Sequence, residues 1–137
     1  MEEYIIKELD RLSEKALMND DVPISCIITR NNKIIAKDYN KKIKNNDPLA
    51  HAEILCIKKA TKKLKTNNLN DCELYCSLYP CNMCIEVINE VRIKKVHYLL
   101  DKEKIVNSNI VYKKMNTNQA IIDKFRKKIK YFFSNKR

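Results

Sequence analysis

The sequence contains no glycine among its 137 residues. Glycine is the usual residue where the backbone needs a positive φ angle, as at helix ends and in tight turns. Asparagine tolerates this conformation better than most other residues, and it occurs as adjacent pairs at positions 31–32, 45–46 and 67–68. We therefore expect these three pairs to occupy turn positions that glycine would otherwise take.

Signals for membrane insertion and secretion are absent as well. The longest apolar runs are short, whereas about 20 apolar residues are needed to span a bilayer. The N-terminus carries Glu2 and Glu3 and lacks the basic start and the apolar core of a signal peptide. We expect no membrane-spanning segment, a cytoplasmic location and, from the chain length, a single domain over residues 1–137.

Acidic residues are in the minority. The chain has 28 lysines and arginines against 17 aspartates and glutamates, which gives a net charge of +11. Such a charge attracts polyanions and makes nucleic acid the leading class of partner. Abundant lysine, asparagine and isoleucine without glycine is also what A/T-rich codon usage produces, so the charge alone leaves both explanations open.

Six cysteines are present, but nothing in the sequence points to an oxidising compartment. We therefore expect reduced thiols and not a disulfide framework. Four of the six lie in apolar or alternating patterns and are predicted to be small core residues, namely Cys26, Cys56, Cys72 and Cys76.

The hydrophobic pattern predicts four helices and five strands. Helices are predicted at 2–18, 51–64 and 80–92, with a fourth that begins after Thr117 as its N-cap. Strands are predicted at 23–29, 33–39, 72–79, 95–100 and 109–115. This order predicts an α/β fold, in which helices flank a mixed five-stranded sheet in a three-layer α/β/α arrangement.

Two short motifs about thirty residues apart carry the chemistry, His51-Ala52-Glu53 and Pro80-Cys81-Asn82-Met83-Cys84. One imidazole and two thiolates provide three zinc ligands and leave the fourth tetrahedral position to water, as catalytic zinc sites require. The two cysteines are three residues apart at a predicted helix start, so they share one face, and a helix N-terminus lowers the thiol pKa. Zinc-dependent nucleobase deaminases carry this H-x-E and P-C-x-x-C pattern.

Glu53 is predicted to be the catalytic acid and base, because it lies two residues beyond His51 and therefore beside the metal. Zinc lowers the pKa of a water molecule toward neutrality. Glu53 would accept that proton while hydroxide attacks an amidine carbon, and would then protonate the ring nitrogen and the leaving amine. The motifs thus predict hydrolytic deamination with one Zn²⁺ per chain.

The C-x-x-C spacing alone is also found in structural zinc sites and in redox motifs. A structural site needs a fourth protein ligand, and the other histidine, His97, is predicted to be a partly exposed strand residue without a role. A thioredoxin-like cysteine pair would leave His51 and Glu53 unexplained.

Residues 4–104 resemble the bacterial tRNA-specific adenosine deaminases of the cytidine deaminase superfamily. The similar stretches are Val-Pro-Ile at 22–24, Asn-Asp-Pro-Leu-Ala-His-Ala-Glu-Ile at 46–54 and Pro-Cys-Asn-Met-Cys at 80–84. The resemblance implies a zinc-dependent enzyme with the cytidine-deaminase-like fold that forms inosine at the wobble position of tRNA. It also implies a homodimer that binds RNA across both subunits.

By the same resemblance, Asn40 holds the target nucleotide and the backbone of Ala50 touches the base. Asn40 could instead be a simple turn residue after a strand. The basic and aromatic segment 125–133 would face RNA, with lysines on phosphates and aromatic rings on bases; alternatively Ile129 and Phe133 pack inward. This chain departs from the family at Tyr79, where a glutamate commonly stands.

Two other functions remain open at this point. The same zinc chemistry would serve a deaminase of a free base, nucleoside or nucleotide of the cytosine, guanine or dCMP type. A protein of another class, a non-catalytic tRNA-binding partner subunit, would also fit the basic charge. Retention of Glu53 together with all three ligands favours an enzyme.

Overall fold

The structure is a computed structural model that describes residues 2–101 and 109–135. In these ranges four helices and five strands follow in the predicted order. They are α1 (Glu2–Met18), β1 (Ser25–Arg30), β2 (Lys33–Tyr39), α2 (Ala52–Leu64), β3 (Cys72–Leu78), α3 (Asn82–Glu90), β4 (Lys95–Leu100), β5 (Val111–Lys114) and α4 (Gln119–Ser134). No helix of this described part is long and apolar enough to cross a membrane.

The five strands form one mixed sheet in the order β2-β1-β3-β4-β5. β1 runs antiparallel to both β2 and β3, whereas β3, β4 and β5 are parallel to one another. The carboxyl ends of β3 and β4 therefore lie at the same edge of the sheet, where Leu78 pairs with Leu100. Open α/β sheets bind their ligands at this edge.

Helices cover both faces of the sheet, as the sequence predicted. Side chains alternate between the faces along each strand, and the neighbours Ile27 and Ile28 illustrate this. Ile28 packs in a core with α2 and α3, while Ile27 packs in a second core with α1 and α4. The result is the three-layer α/β/α fold.

The cysteines predicted to be core residues are all buried free thiols. Cys26 in β1 and Cys76 in β3 are register partners, and their Sγ atoms lie 3.4 Å apart. Both side chains are fully buried. Cys56 of α2 lies against β1, with its Sγ 3.7 Å from the carbonyl oxygen of Cys26.

Six non-glycine residues of the described ranges have a positive φ, namely Asp20, Asn31, Asn32, Asn46, Lys65 and Arg92. The prediction for the pair 31–32 is confirmed, since both residues form the turn of the β1–β2 hairpin. The prediction for 67–68 is wrong. α2 ends earlier, at Lys65, whose backbone N–H returns to the carbonyl of Thr61 in a left-handed cap.

Two further predictions are corrected. Asn118, and not Thr117, is the N-cap of α4, since its Oδ1 accepts a hydrogen bond from the N–H of Ile121 at 3.0 Å. His97 is buried and not partly exposed. Its ring stacks on that of Tyr75 at 4.2 Å between centroids, and its Nε2 lies 2.7 Å from Glu73 Oε1, because the helical layer covers this face of the sheet.

Candidate metal centre and active site

The predicted zinc ligands lie where two strands lead into two helices. His51 is the N-cap of α2, and Cys81 is the N-cap of α3; both have extended backbone. Cys84 lies in the first turn of α3. Neither N-cap side chain makes a capping hydrogen bond to its own helix. The imidazole and the thiol are therefore used elsewhere, and two helix N-termini converge on one point.

The three side chains are spaced as ligands of one metal ion. His51 Nδ1 lies 3.8 Å from Cys81 Sγ and 3.6 Å from Cys84 Sγ, and the three ligand atoms all lie within 4.8 Å of one another. A tetrahedral zinc ion with ordinary bond lengths separates its nitrogen and sulfur ligands by about 3.6 Å. The residues present therefore fit zinc. Within the described ranges this is the one such cluster of His, Cys, Asp and Glu.

Cys84 is buried close to Glu53 and Cys81. Burial raises the pKa of the Cys84 thiol far above its ordinary value, and the nearby Glu53 and Cys81 raise it further. This shift runs opposite to the lowering that a helix N-terminus provides. A bound divalent cation reverses this balance, since a coordinating thiol is deprotonated.

Glu53 lies in the first turn of α2 and is buried, with 4% of its surface exposed. It lines the same pocket as His51 and Cys81, but it does not belong to the cluster of ligand atoms. A carboxylate placed beside a metal centre without ligating it suits a proton-transfer role.

Asn40 and Ala50 connect the end of β2 to the start of α2. The Oδ1 atom of Asn40 accepts a hydrogen bond from the N–H of Ala52 at 2.8 Å, and the carbonyl of Ala50 accepts one from the N–H of Lys41 at 3.0 Å. Both residues are buried. Asn40 lines the pocket, whereas Ala50 is not among its lining residues. Asn40 therefore holds the start of α2 and also borders the pocket.

The pocket has a volume of about 230 Å³. Its lining combines the candidate catalytic groups with apolar walls from three parts of the chain, namely Val22, Ile24, Asn40, Lys42, His51, Glu53, Leu78, Tyr79, Cys81, Ile129 and Phe133. Sequence reasoning assigned no pocket role to Lys42 or Tyr79. Tyr79 directly precedes Pro80, and this position next to the zinc motif could have indicated that it lies at the pocket.

Side chains of the basic and aromatic segment 125–133 differ in how far they are buried. Phe125 is buried in the core with α1, and Lys128 is buried as well, so the prediction that these two face RNA is wrong. Phe133 is 58% exposed and lines the pocket, which contradicts its alternative as an inward-packed residue, whereas Ile129 does pack against the core as that alternative predicted. Tyr131 is exposed, as an RNA-facing side chain requires.

Residues 1–100 match the family model of the cytidine and deoxycytidylate deaminase zinc-binding region. A tRNA-specific adenosine deaminase of Aquifex aeolicus is 41% identical over 102 residues, which cover 74% of this chain and 68% of that relative.

Solved structures agree with these sequence matches. One, from a study of A-to-I editing by tRNA:A34 deaminases at the wobble position of transfer RNA, is 25% identical with a TM-score of 0.73 and covers 84% of this chain and 100% of its own. The guanine deaminase of Bacillus subtilis is 36% identical with a TM-score of 0.67, over 72% of this chain and 64% of its own. The chain therefore belongs to the cytidine and deoxycytidylate deaminase family.

Proposed function

We propose that the protein is a zinc-dependent hydrolytic deaminase that converts adenosine to inosine in tRNA, at the wobble position of the anticodon. The observation that carries this proposal is the cluster of His51, Cys81 and Cys84 beside Glu53 in one pocket. The relative and the solved structure that act on tRNA adenosine support the substrate.

One Zn²⁺ per chain would be held by His51 Nδ1, Cys81 Sγ and Cys84 Sγ. When bound, zinc supplies a Lewis acid that makes water nucleophilic at neutral pH. The carboxylate of Glu53 would accept one proton from the attacking water and pass it to the ring nitrogen, and would then carry the second proton of that water to the amine, which leaves as ammonia. Burial of Glu53 shields this proton from bulk solvent.

The pocket suits a single nucleobase. Its volume of about 230 Å³ is below the range of about 300–1,000 Å³ typical of sites for drug-sized ligands. Apolar side chains such as Ile129 and Phe133 would flank the base, while Asn40 and the backbone of Ala50 would hold the target nucleotide. Lys42 lines the pocket and offers a cation to a phosphate.

We further propose that the protein binds tRNA as a homodimer of single-domain chains in the cytoplasm. A net charge of +11 supports tRNA as the partner. The family resemblance supports a homodimer that binds RNA across both subunits, built from chains that each form one domain. The six cysteines, all inside the described ranges, are free thiols, which supports work in the cytoplasm.

The deciding experiment incubates the purified protein with a transcript of a tRNA that carries an ACG anticodon and measures inosine. We expect conversion of the wobble adenosine and none in a transcript with guanosine at that position. Glu53→Gln is the matched inactive control, with kcat reduced by about 10²–10⁴-fold and its metal retained.

Guanine deamination is the second candidate, because a guanine deaminase is among the similar structures. Free guanine and free cytosine are therefore tested in parallel by ammonia release. Deamination of a free base with an untouched tRNA would overturn the substrate proposal and leave the metal proposal intact.

The metal proposal has its own prediction. Cys81→Ala or Cys84→Ala should reduce the zinc content from about one ion per chain to well below it, because two protein ligands hold zinc poorly. Cys72→Ala is the matched control, since this buried cysteine lies outside the cluster. Metal analysis after dialysis checks both, and unchanged zinc in the Cys81 and Cys84 variants would contradict the assignment.

A further inference from the structure

α4 forms part of the pocket wall although little of it is buried. Ile129 and Phe133 line the pocket and follow each other at the four-residue spacing that places side chains on one helix face. Among the described residues of α4, only Phe125 and Lys128 are buried. Lys128 is the last of these along the helix; the adjacent Ile129 is partly buried against the core, and Phe133, one turn further on, is exposed.

The buried ammonium of Lys128 makes its hydrogen bonds and ion pairs to α1. Its Nζ donates to the Oδ1 of Asp10, to the backbone carbonyl of Asp10 at 3.1 Å and to the Oγ of Ser13 at 2.9 Å. The ammonium also lies 5.2 Å from the ring centroid of Phe125. An ammonium has three hydrogens to donate, which these three acceptors can take up, and the carboxylate of Glu14, also in α1, lies 3.3 Å from the same Nζ.

Asp10 also binds a second lysine, which offers a natural comparison. Lys124 Nζ lies 2.8 Å from the Oδ2 of Asp10, but its side chain is 61% exposed, against 9% for Lys128. An exposed ion pair contributes little, whereas a buried, fully hydrogen-bonded one fixes geometry. The two lysines share one carboxylate and differ in burial.

We propose that Lys128 is a positioning residue, which fixes the last turns of α4 on α1 so that Ile129 and Phe133 form the pocket wall. This inference rests on the proposed function for its kinetic readout. Lys128 does not itself line the pocket, so it acts through Phe133. The α1–α4 contact thereby sets how well the pocket accepts its substrate.

The test compares Lys128→Met with Lys124→Met. Methionine keeps an unbranched side chain but cannot donate to Asp10, and in Lys128→Met the carboxylate of Asp10 still has Lys124. We expect Lys128→Met to raise KM for the tRNA transcript about tenfold with kcat changed less than about twofold. Lys124→Met should leave both within about twofold. Equal effects of the two substitutions, or a loss of kcat alone, would overturn the proposal.

A double-mutant cycle tests whether Lys128 acts through Phe133. Phe133→Ala alone should raise KM about tenfold, and the double variant should be no worse than either single one, because the two changes disrupt the same wall. If the two residues acted independently, the two tenfold increases in KM would multiply to about a hundredfold in the double variant, which would contradict the inference. If Lys128→Met does not fold, Ser13→Ala removes one of the three acceptors and should shift KM in the same direction by less.

A second readout does not need the proposed substrate. Amide hydrogen exchange over residues 129–135 should be faster in Lys128→Met than in Lys124→Met or the unmodified protein. Unchanged exchange would overturn the positioning role even if the enzyme is active on tRNA. Faster exchange in a protein that leaves tRNA untouched would instead separate the positioning role from the substrate proposal.

Discussion

At the scale of single residues, Asn40 shows how the site frees His51 for metal binding. The first N–H groups of a helix have no partner within the helix, and the N-cap side chain usually supplies one. His51 is the N-cap of α2 but makes no such bond. The Oδ1 of Asn40 instead accepts from Ala52 N–H at 2.8 Å. Asn40, directly after β2, thus satisfies the first N–H of α2, and the imidazole of His51 is left to face the cysteines.

Because Asn40 both accepts a hydrogen bond from Ala52 and lines the pocket, two substitutions of Asn40 should have different effects. Asn40→Asp keeps the acceptor for Ala52 and loses the Nδ2 donor, so it should fold with nearly unchanged stability but bind the nucleotide poorly. Asn40→Ala should also lose about 0.5–2 kcal/mol of stability. KM measurements and urea unfolding check both. Normal substrate binding by Asn40→Asp would mean that the residue serves the fold alone.

At the scale of secondary-structure elements, the missing glycine leaves strain at helix ends. α2 closes with Lys65 at φ 55°, and a side chain with a Cβ pays about 1–2 kcal/mol for this left-handed conformation. Lys65 is exposed and adds no core contact. The hydrogen bonds at the end of α2 therefore hold Lys65 in a backbone conformation that its own side chain disfavours.

Lys65→Gly should accordingly stabilise the protein by about 1 kcal/mol, or about 3–5 °C in Tm. Lys58→Gly is the matched control, because this exposed lysine lies inside α2 and its replacement should cost about 1 kcal/mol. Thermal and urea unfolding measure both. Destabilisation by Lys65→Gly would show that the lysine side chain makes a favourable contribution there.

α1 carries a carboxylate whose titration is coupled to folding. Hydrogen bonding from Arg11 lowers the pKa of Glu8 from 4.5 to about 2; burial opposes this shift and Lys37 assists it. The Arg11 Nε lies 3.1 Å and the Lys37 Nζ 2.9 Å from Glu8 Oε1. Glu8 therefore binds a proton more readily in the unfolded chain than in the folded one.

The stabilisation from Glu8 should be fully present above pH 4.5 and should be lost as the pH falls from 4.5 toward 2. Glu8→Gln cannot titrate, so its free energy of unfolding should fall less steeply in this window. Urea unfolding at a series of pH values compares the two proteins. Parallel curves would show that other carboxylates, such as Asp10 and Asp38, dominate the acid response.

At the scale of the whole molecule, several acidic groups are shared between two cations. Asp38 binds Lys41 at 2.8 Å and Lys59 at 2.9 Å, and Glu8 binds Arg11 and Lys37. The chain has 28 lysines and arginines but only 17 aspartates and glutamates, so positive side chains remain in excess even though some carboxylates bind two of them. The surplus gives the molecule a long-range attraction for a polyanion.

Binding of tRNA should therefore depend strongly on salt. If six to ten phosphates are contacted, affinity should fall by about 10³–10⁵ between 50 mM and 200 mM salt, because bound counterions are released. Fluorescence anisotropy with labelled tRNA and the Glu53→Gln variant measures binding without turnover. A flat response would favour a small substrate instead.

The sequence could predict features that depend on neighbouring residues. The hairpin turn at 31–32 and the shared helix face of Cys81 and Cys84 follow from local spacing, whereas the convergence of His51 on these cysteines was predicted from the known H-x-E and P-C-x-x-C pattern; all are present in the fold. Lys128 could not be predicted in the same way. Its partner Asp10 is 118 residues away, and in the helical pattern Lys128 is only one of several lysines that look solvated.

The same limit explains the remaining errors. His97 has an ordinary strand pattern, and its burial depends on the helices that cover the sheet and on Glu73 in the adjacent strand. The N-cap of α4 moved from Thr117 to Asn118 because both are good capping residues, and only the path of the backbone decides between them. The last part of the stretch that resembles the family, residues 102–104, lies outside the described residues.

The neighbouring thiols of Cys26 and Cys76 are protected from oxidation only while the chain stays folded. Their sulfur atoms are 3.4 Å apart, so burial and not distance limits their reaction. Burial raises the pKa of Cys76 to about 11 and that of Cys26 well above its ordinary value, which keeps both in the unreactive protonated form. An intact chain thus resists oxidation, whereas a chain that has once opened in an oxidising environment loses this protection.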